Sequence, residues 1–283
     1  MKERRRFVEE LMGIKGGANR ILYDVERDRF NMPHCADTSV RKELNANRIV
    51  VDGKNIAIAT QYPYPHQVEA QLQMLLDNRT PILIVLASST DIQNHQLPEY
   101  FSGSNTYGEI HTQSTFVDYV DLGNTVEAKI FRLNVIGHHE SMDIPVLHVY
   151  NWPDQRTVSP DTACKLVELI ESTIAERKVI LEKCSGPAVD NIERMLPVIH
   201  CKAGVGRTGQ TIAALVMKRY PELTLDSITR DLRASRNDKM IQTRVQMETL
   251  VELEKMHKKT EQQVPASGTW RSYLASKFLG GRS

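Results

Sequence analysis

Charge of one sign is what this chain has least of: 36 lysines and arginines face 35 aspartates and glutamates, a formal net charge of +1. That balance provides no broad basic field and argues against nucleic acid as a partner. Cysteine is scarce. Cys35, Cys164, Cys184 and Cys201 form no C-x-x-C pair and no His/Cys cluster, so the sequence predicts neither a zinc site nor another cofactor. A single reactive thiol among them suits a reducing compartment. Long apolar runs are missing as well, since none approaches the ~18 residues of a membrane span. The basic start, Lys2 to Arg6, leads into Phe7-Val8-Glu9-Glu10-Leu11, which is too charged for a signal-peptide core. No internal repeat or low-complexity linker occurs before residue 260. With 41% hydrophobic and 25% charged residues, the 283-residue chain has the composition of a globular protein of one large or two small domains.

Periodicity supplies the elements. Residues 3–15 predict an amphipathic helix with Phe7, Val8, Leu11 and Ile14 on one face, packing on the domain and ended by Gly16-Gly17. Residues 18–34 read as irregular. Ile49 to Val51 and Ile56 to Ala59 flank Asp52-Gly53 as a hairpin. A helix is expected over 66–78, then a buried strand at Ile82–Leu86. Two or three antiparallel strands follow over 109–136, turning near Gly123-Asn124, and another strand covers 145–150. Helices are expected over 160–181, 208–219, 225–235 and 242–259, with a loop at 184–196 and a strand running into Cys201. This mixture predicts one α/β domain with a mixed β-sheet flanked by helices. The stretch 261–283 reads as a tail without fixed structure; Trp270, Leu274 and Phe278 at helical spacing offer a short docking helix as the alternative.

The chemistry concentrates in Val198-Ile199-His200-Cys201-Lys202-Ala203-Gly204-Val205-Gly206-Arg207-Thr208-Gly209. Here an apolar strand enters a glycine-containing loop that enters a helix. Glycines let successive backbone N–H groups curl inward around an anion, and the following helix adds its positive end. Arg207 can grip two phosphate oxygens through its planar fork. Cys201, beside an arginine and at a helix start, sits where a thiolate is favoured, and a thiolate against a phosphate is a nucleophile. An ordinary turn with a core cysteine would not require this spacing of cysteine, five residues, arginine and threonine.

That stretch resembles the signature loop of the cysteine-dependent protein tyrosine phosphatases. Further runs are similar to the Yersinia-type secreted effectors of that family: Gln61-Tyr62-Pro63, Asn78-Arg79-Thr80-Pro81, Leu86-Ala87-Ser88-Ser89, Pro98-Glu99-Tyr100-Phe101 and Asn151-Trp152-Pro153-Asp154-Gln155. The resemblance covers about 20–260 and implies a catalytic domain over 18–260, preceded by a helix in 1–17 and followed by the tail. It implies a phosphotyrosine protein phosphatase-like fold with a twisted sheet. It also implies hydrolysis of phosphotyrosine through a cysteinyl-phosphate. Cys201 would be the nucleophile. Lys202, Ala203, Gly204, Val205, Gly206 and Arg207 would bind the phosphate. Asp154 would be the general acid, on a loop anchored by Trp152 and stiffened by Pro153. Thr208 would bond the sulfur, and His200 would hold the backbone around Cys201. Gln242 and Gln246, sharing a helix face at i and i+4, would position the hydrolytic water.

Phe30 falls where the family places an aromatic against the phosphotyrosine ring, with Met32 where an acidic anchor is expected. Asp91 stands in place of the family's glutamate, shorter by one methylene, so Arg207 is expected to be held through water or a backbone shift. His148 reads as a core histidine. The resemblance further implies a bacterial virulence effector delivered by type III secretion into the host cytoplasm. Its partners would be phosphotyrosine-containing host proteins and a secretion chaperone. Two alternatives remain open. Lys202 in Cys201-Lys202-Ala203-Gly204 also occurs in some phosphoinositide phosphatases, and an inactive phosphotyrosine-binding module would keep the fold without turnover.

Overall fold

The structure, a computed structural model, describes residues 2–137, 140–185 and 195–261. The expected tail beyond 261 and most of the expected loop at 184–196 lie outside the described residues. The chain opens with α1 (Lys2–Gly13), β1 (Arg20–Ile21), β2 (His34–Cys35), β3 (Ala46–Val51) and β4 (Lys54–Thr60). A 3-10 turn (Pro65–Gln67) leads into α2 (Val68–Asp77), followed by β5 (Leu83–Val85), α3 (Ser89–Asn94), β6 (Ser104–Tyr107) and β7 (Ile110–Gly123). Then come β8 (Val126–Ile136), β9 (Ser141–Val149), α4 (Pro160–Ser185), β10 (Val198–His200), α5 (Gly206–Arg219), α6 (Leu225–Ser235) and α7 (Arg244–Glu261).

Eight strands form the main sheet in the order β3-β4-β10-β5-β9-β8-β7-β6. The contacts of β10 with β4 and β5, and of β5 with β9, are parallel; the others are antiparallel. Side chains on a strand alternate between faces, so each central strand feeds two cores. Ile84 and Ile199 join a core with α1, α4, α5, α6 and α7, whereas Leu83, Val85 and Val198 join one with α2 and the Leu97–Phe101 segment. Burial on both faces explains why β5 and β10 read as unbroken apolar runs.

Three differences from the sequence reading have local causes. Phe7 is 38% exposed and Ile14 lies past the end of α1; Val8 and Leu11 are the residues of that helix in the core. β1, β2 and β6 escape the pattern because two-residue pairings and the polar Ser-Asn-Thr-Tyr run carry no apolar period. α7 begins at Arg244, so Gln242 precedes it. No described helix is long and apolar enough to cross a membrane.

Candidate active site

β10 delivers Cys201 to the carboxyl end of the parallel strands, the edge where open α/β sheets place their ligands. The loop is tied to its neighbours from the start: Leu86 N–H donates to the His200 carbonyl (2.7 Å) and Tyr62 N–H to the Lys202 carbonyl (3.0 Å). Gly204 then turns with φ +69°, and a Cβ there would lie 2.1 Å from the Thr60 carbonyl oxygen, so only glycine fits. Its N–H points at Cys201 Sγ (3.3 Å), while Arg236 Nε donates to its carbonyl (2.7 Å). α5 starts two residues on, with its positive end at the loop.

Cys201 is 2% exposed. Burial alone pushes its thiol pKa up. The Arg207 charge, the Thr208 hydroxyl and backbone, and the Gly204 N–H together outweigh burial and hold it below the ordinary thiol value. Thr208 Oγ1 has no hydrogen bond of regular geometry, so its effect is that of a nearby dipole.

The Arg207 guanidinium is fully buried. Nη1 donates to Asp91 Oδ2 (2.7 Å) and to the Trp152 carbonyl (2.8 Å), and Nη2 to Asp154 Oδ1 (3.0 Å). Nε is buried without a partner, an unspent donor beside the loop that suits an anion. The expectation that Asp91 needs water or a backbone shift to reach Arg207 is corrected, because the contact is direct. Ser88 caps α3 and Asp91 occupies its third position, closing a reciprocal capping box that aims the short carboxylate at the arginine. Burial pushes the Asp91 carboxyl up, but the Arg207 charge and the bonds from Arg207 and Ser88 bring it below the usual carboxylate value.

The Trp152 loop lies closed over this centre. Trp152 is 1% exposed, and its Nε1–H donates to the Arg156 carbonyl (3.1 Å), pinching the loop shut. Asp154 meets Lys202 Nζ through its second oxygen (3.1 Å). Pro153 is exposed at the tip. Lys202 Nζ also lies 3.2 Å from His95 Nε2 and 5.9 Å from the centre of the half-buried Phe30 ring, which places Phe30 at the rim. Ala203, Val205 and Gly206 complete the loop, Val205 and Gly206 buried and Ala203 half-buried.

The two glutamines come together, though not as expected. Gln242 sits before α7 and Gln246 in its first turn, so they do not share a helix face; they converge because both pack on Gly206, where a Cβ would meet Gln242 Oε1 at 3.1 Å and Gln246 Nε2 at 3.2 Å. Gln246 forms a capping box with Thr243 (3.1 and 3.3 Å) and donates to the Arg156 carbonyl (3.1 Å), joining α7 to the acid loop.

His200 is fully buried and neutral. Burial drives its pKa down to about 4. Nδ1 faces the Cys201 carbonyl (3.2 Å) and so carries the proton; Nε2 accepts from the Tyr100 hydroxyl (2.8 Å). Its place is structural. His148, likewise lowered to about 4 by burial, donates from Nε2 to the Ala87 carbonyl (2.9 Å) within the core. Sequence reasoning missed His95 and the hydroxyl of Tyr100 as neighbours of the loop, since neither lies at a telling spacing from Cys201. Among the described residues no cluster of His, Cys, Asp or Glu could hold a metal ion.

The arrangement can bind a tetrahedral anion against a sulfur nucleophile, with a carboxyl group poised above it and two amides beside it. Comparison with known proteins agrees with that chemistry. The profile of the family described as Protein-tyrosine phosphatase matches residues 21–254. The chain is 39% identical over 224 residues to Tyrosine-protein phosphatase YopH of Yersinia pseudotuberculosis serotype I, covering 77% of this chain and 48% of that protein. It is 36% identical over 254 residues to Secreted effector protein SptP of Salmonella typhi, covering 85% and 45%. The chain thus spans about half the length of the curated relatives it matches. A crystal structure of the catalytic domain of human protein tyrosine phosphatase non-receptor type 18 shares the fold, with a TM-score of 0.64 at 21% identity, covering 90% of this chain and 95% of that one.

Proposed function

The chain belongs to the protein-tyrosine phosphatase family, and from that premise we propose that it hydrolyses phosphotyrosine in host proteins as a secreted bacterial effector. The observation that carries the chemistry is the convergence of Cys201, Arg207 and Asp154 from three separate elements. The effector role rests on likeness to the Yersinia and Salmonella relatives, the latter named as secreted.

In this mechanism the phosphate takes up donors that Asp154 holds in the structure, with Arg207 Nε and the loop N–H groups on its oxygens. Cys201 Sγ attacks phosphorus as the P–O bond to tyrosine breaks, and Asp154 delivers its proton to the tyrosyl oxygen. Water, held by Gln242 and Gln246 and deprotonated by Asp154, then attacks the cysteinyl-phosphate. Thr208 and Arg207 stabilise the departing thiolate. The closed acid loop keeps bulk water from the first step. The inositol-lipid alternative has Lys202 but lacks the second lysine later in the loop, where Val205 stands.

Matched phosphotyrosine and phosphoserine peptides test the proposal, with wild type, Cys201→Ser and Asp154→Ala compared across pH. Turnover of phosphotyrosine alone, loss of turnover in the serine variant, and a flattened basic limb in the alanine variant are the expected outcome. Capture of the phosphotyrosine peptide by wild type without turnover would leave a binding module and sink the enzymatic reading.

A further inference from the structure

Ile241, immediately before Gln242, has φ +61° and is fully buried. A β-branched residue in the left-handed region is a genuine outlier, held only where the surroundings over-determine it. On one side, Ile241 N–H donates to the Val205 carbonyl of the cysteine loop (3.1 Å). On the other, the preceding peptide is held by Arg233: its buried side chain donates from Nε to the Met240 carbonyl (3.2 Å).

The rest of that guanidinium faces the amino-terminal segment. Nη1 lies within 3.0 Å of the carbonyls of Leu11 and Met12 and 2.7 Å from that of Ile14, so it caps the carboxyl end of α1, where a cation is favoured. The chain then crosses α6 so closely that a Cβ at Gly16 would lie 2.3 Å from the backbone of Arg233 and Ala234. Beyond the crossing, Gly16 N–H donates to Asp238 Oδ1 (2.8 Å) and Arg20 donates to the carbonyls of Arg236 (2.7 Å) and Arg233 (2.9 Å). A strap from Leu11 to Arg20 therefore clamps the segment that leads to Gln242.

We propose that Arg233, clamped by α1 and the Gly16 strap, is a positioning residue for the second chemical step: it holds the strained Ile241 turn so that Gln242 meets the cysteinyl-phosphate and its water. This rests on the phosphatase reading above. Besides the Ile241–Val205 bond, Cys201 has the Gly204 N–H, Arg207 has Asp91 and the Trp152 carbonyl, and Asp154 has Arg207 and Lys202, so formation of the phosphoenzyme depends on the brace far less than its hydrolysis does.

The test is rapid-mix kinetics of the full chain on a phosphotyrosine peptide, reading the first-turnover release of the dephosphorylated peptide and the steady-state rate separately. Arg233→Lys keeps the charge but not the four-carbonyl geometry. It should leave the first turnover at the wild-type rate and slow phosphoenzyme hydrolysis about ten- to a hundredfold, the scale of a small misplacement of a catalytic group. Glycine adopts φ +61° without strain, so the fold-loss caused by Arg233→Lys should shrink in an Ile241→Gly background, a coupling that a general loss of stability would not produce. Equal slowing of both phases, or the same fold-loss in both backgrounds, overturns the brace. A wild type that never forms a phosphoenzyme overturns the phosphatase reading itself; a wild type that turns over beside an unaffected Arg233→Lys overturns the brace alone.

Discussion

Cys201 sits between two opposing effects of nearly the same place in the fold. Its depth raises the thiol pKa, and the groups that line that depth lower it further still. The alkylation rate of Cys201 by iodoacetamide should therefore reach half its plateau at a pH below the ordinary thiol value of 9, and Arg207→Ala should move that midpoint up. A midpoint unmoved by the substitution would refute the Arg207 contribution. Asp91 acts on the same arginine. Asp91→Ala leaves a buried guanidinium short of one anion and α3 short of its capping partner, so thermal unfolding should show a loss of roughly 2 kcal/mol or more together with a fall in kcat/KM. The candidacy of Cys201 and Arg207 was legible in their spacing, and that of Asp154 and Asp91 in the resemblance to the family. The direct reach of Asp91 was not, since chain length says nothing of the angle at which a capped helix presents a side chain.

Among the elements, the acid loop and the start of α7 behave as one unit. Trp152 Nε1 and Gln246 Nε2 both donate to the Arg156 carbonyl, so the anchor of the Asp154 loop and the first turn of α7 share an acceptor. Trp152→Phe keeps the ring in the core and removes only that donor. It should lower kcat several-fold with little change in KM, and the loss combined with Gln246→Ala should be smaller than the product of the two single losses. Independent, multiplying effects would show the shared carbonyl to be incidental. The helix boundary matters here. The sequence predicts this helix from residue 242; the Thr243–Gln246 capping box starts it at Arg244. The amides meet through the close approach that Gly206 permits, not through helical phase.

Across the molecule, three buried histidines among the described residues tie stability to pH. His34, His148 and His200 have folded-state values of about 4, each lowered chiefly by burial, against 6.5 when exposed. The unfolded chain binds these protons first. Their contribution is complete above pH 6.5 and is lost as pH falls toward 4, at up to about 1.4 kcal/mol per histidine per pH unit. The melting temperature should therefore fall steeply through that window, and His148→Gln should flatten the slope even where it lowers the melting temperature at neutral pH. A melting temperature constant from pH 6.5 to 5 would contradict the buried, neutral state.

Local pattern was enough for the central strands, the hairpin at Asp52-Gly53 and the major helices, and it singled out Cys201 and Arg207 as candidates. Each of these rests on periods and spacings within a few tens of residues, which the chain carries in its own order. The eight-strand order, the two-sided core, the sharing of Arg156 and the clamp of Arg233 on α1 join residues as far as 222 positions apart. Such contacts exist only after β10 is threaded between β4 and β5 and α6 is laid across the amino-terminal strap. Burial and hydrogen-bond partner are properties of that packed neighbourhood, so the neutrality of His200 and the strained turn at Ile241 arise with packing and leave no mark in the linear order, whereas the lowered thiol pKa of Cys201 is already foreshadowed by its place beside Arg207 and at a helix start.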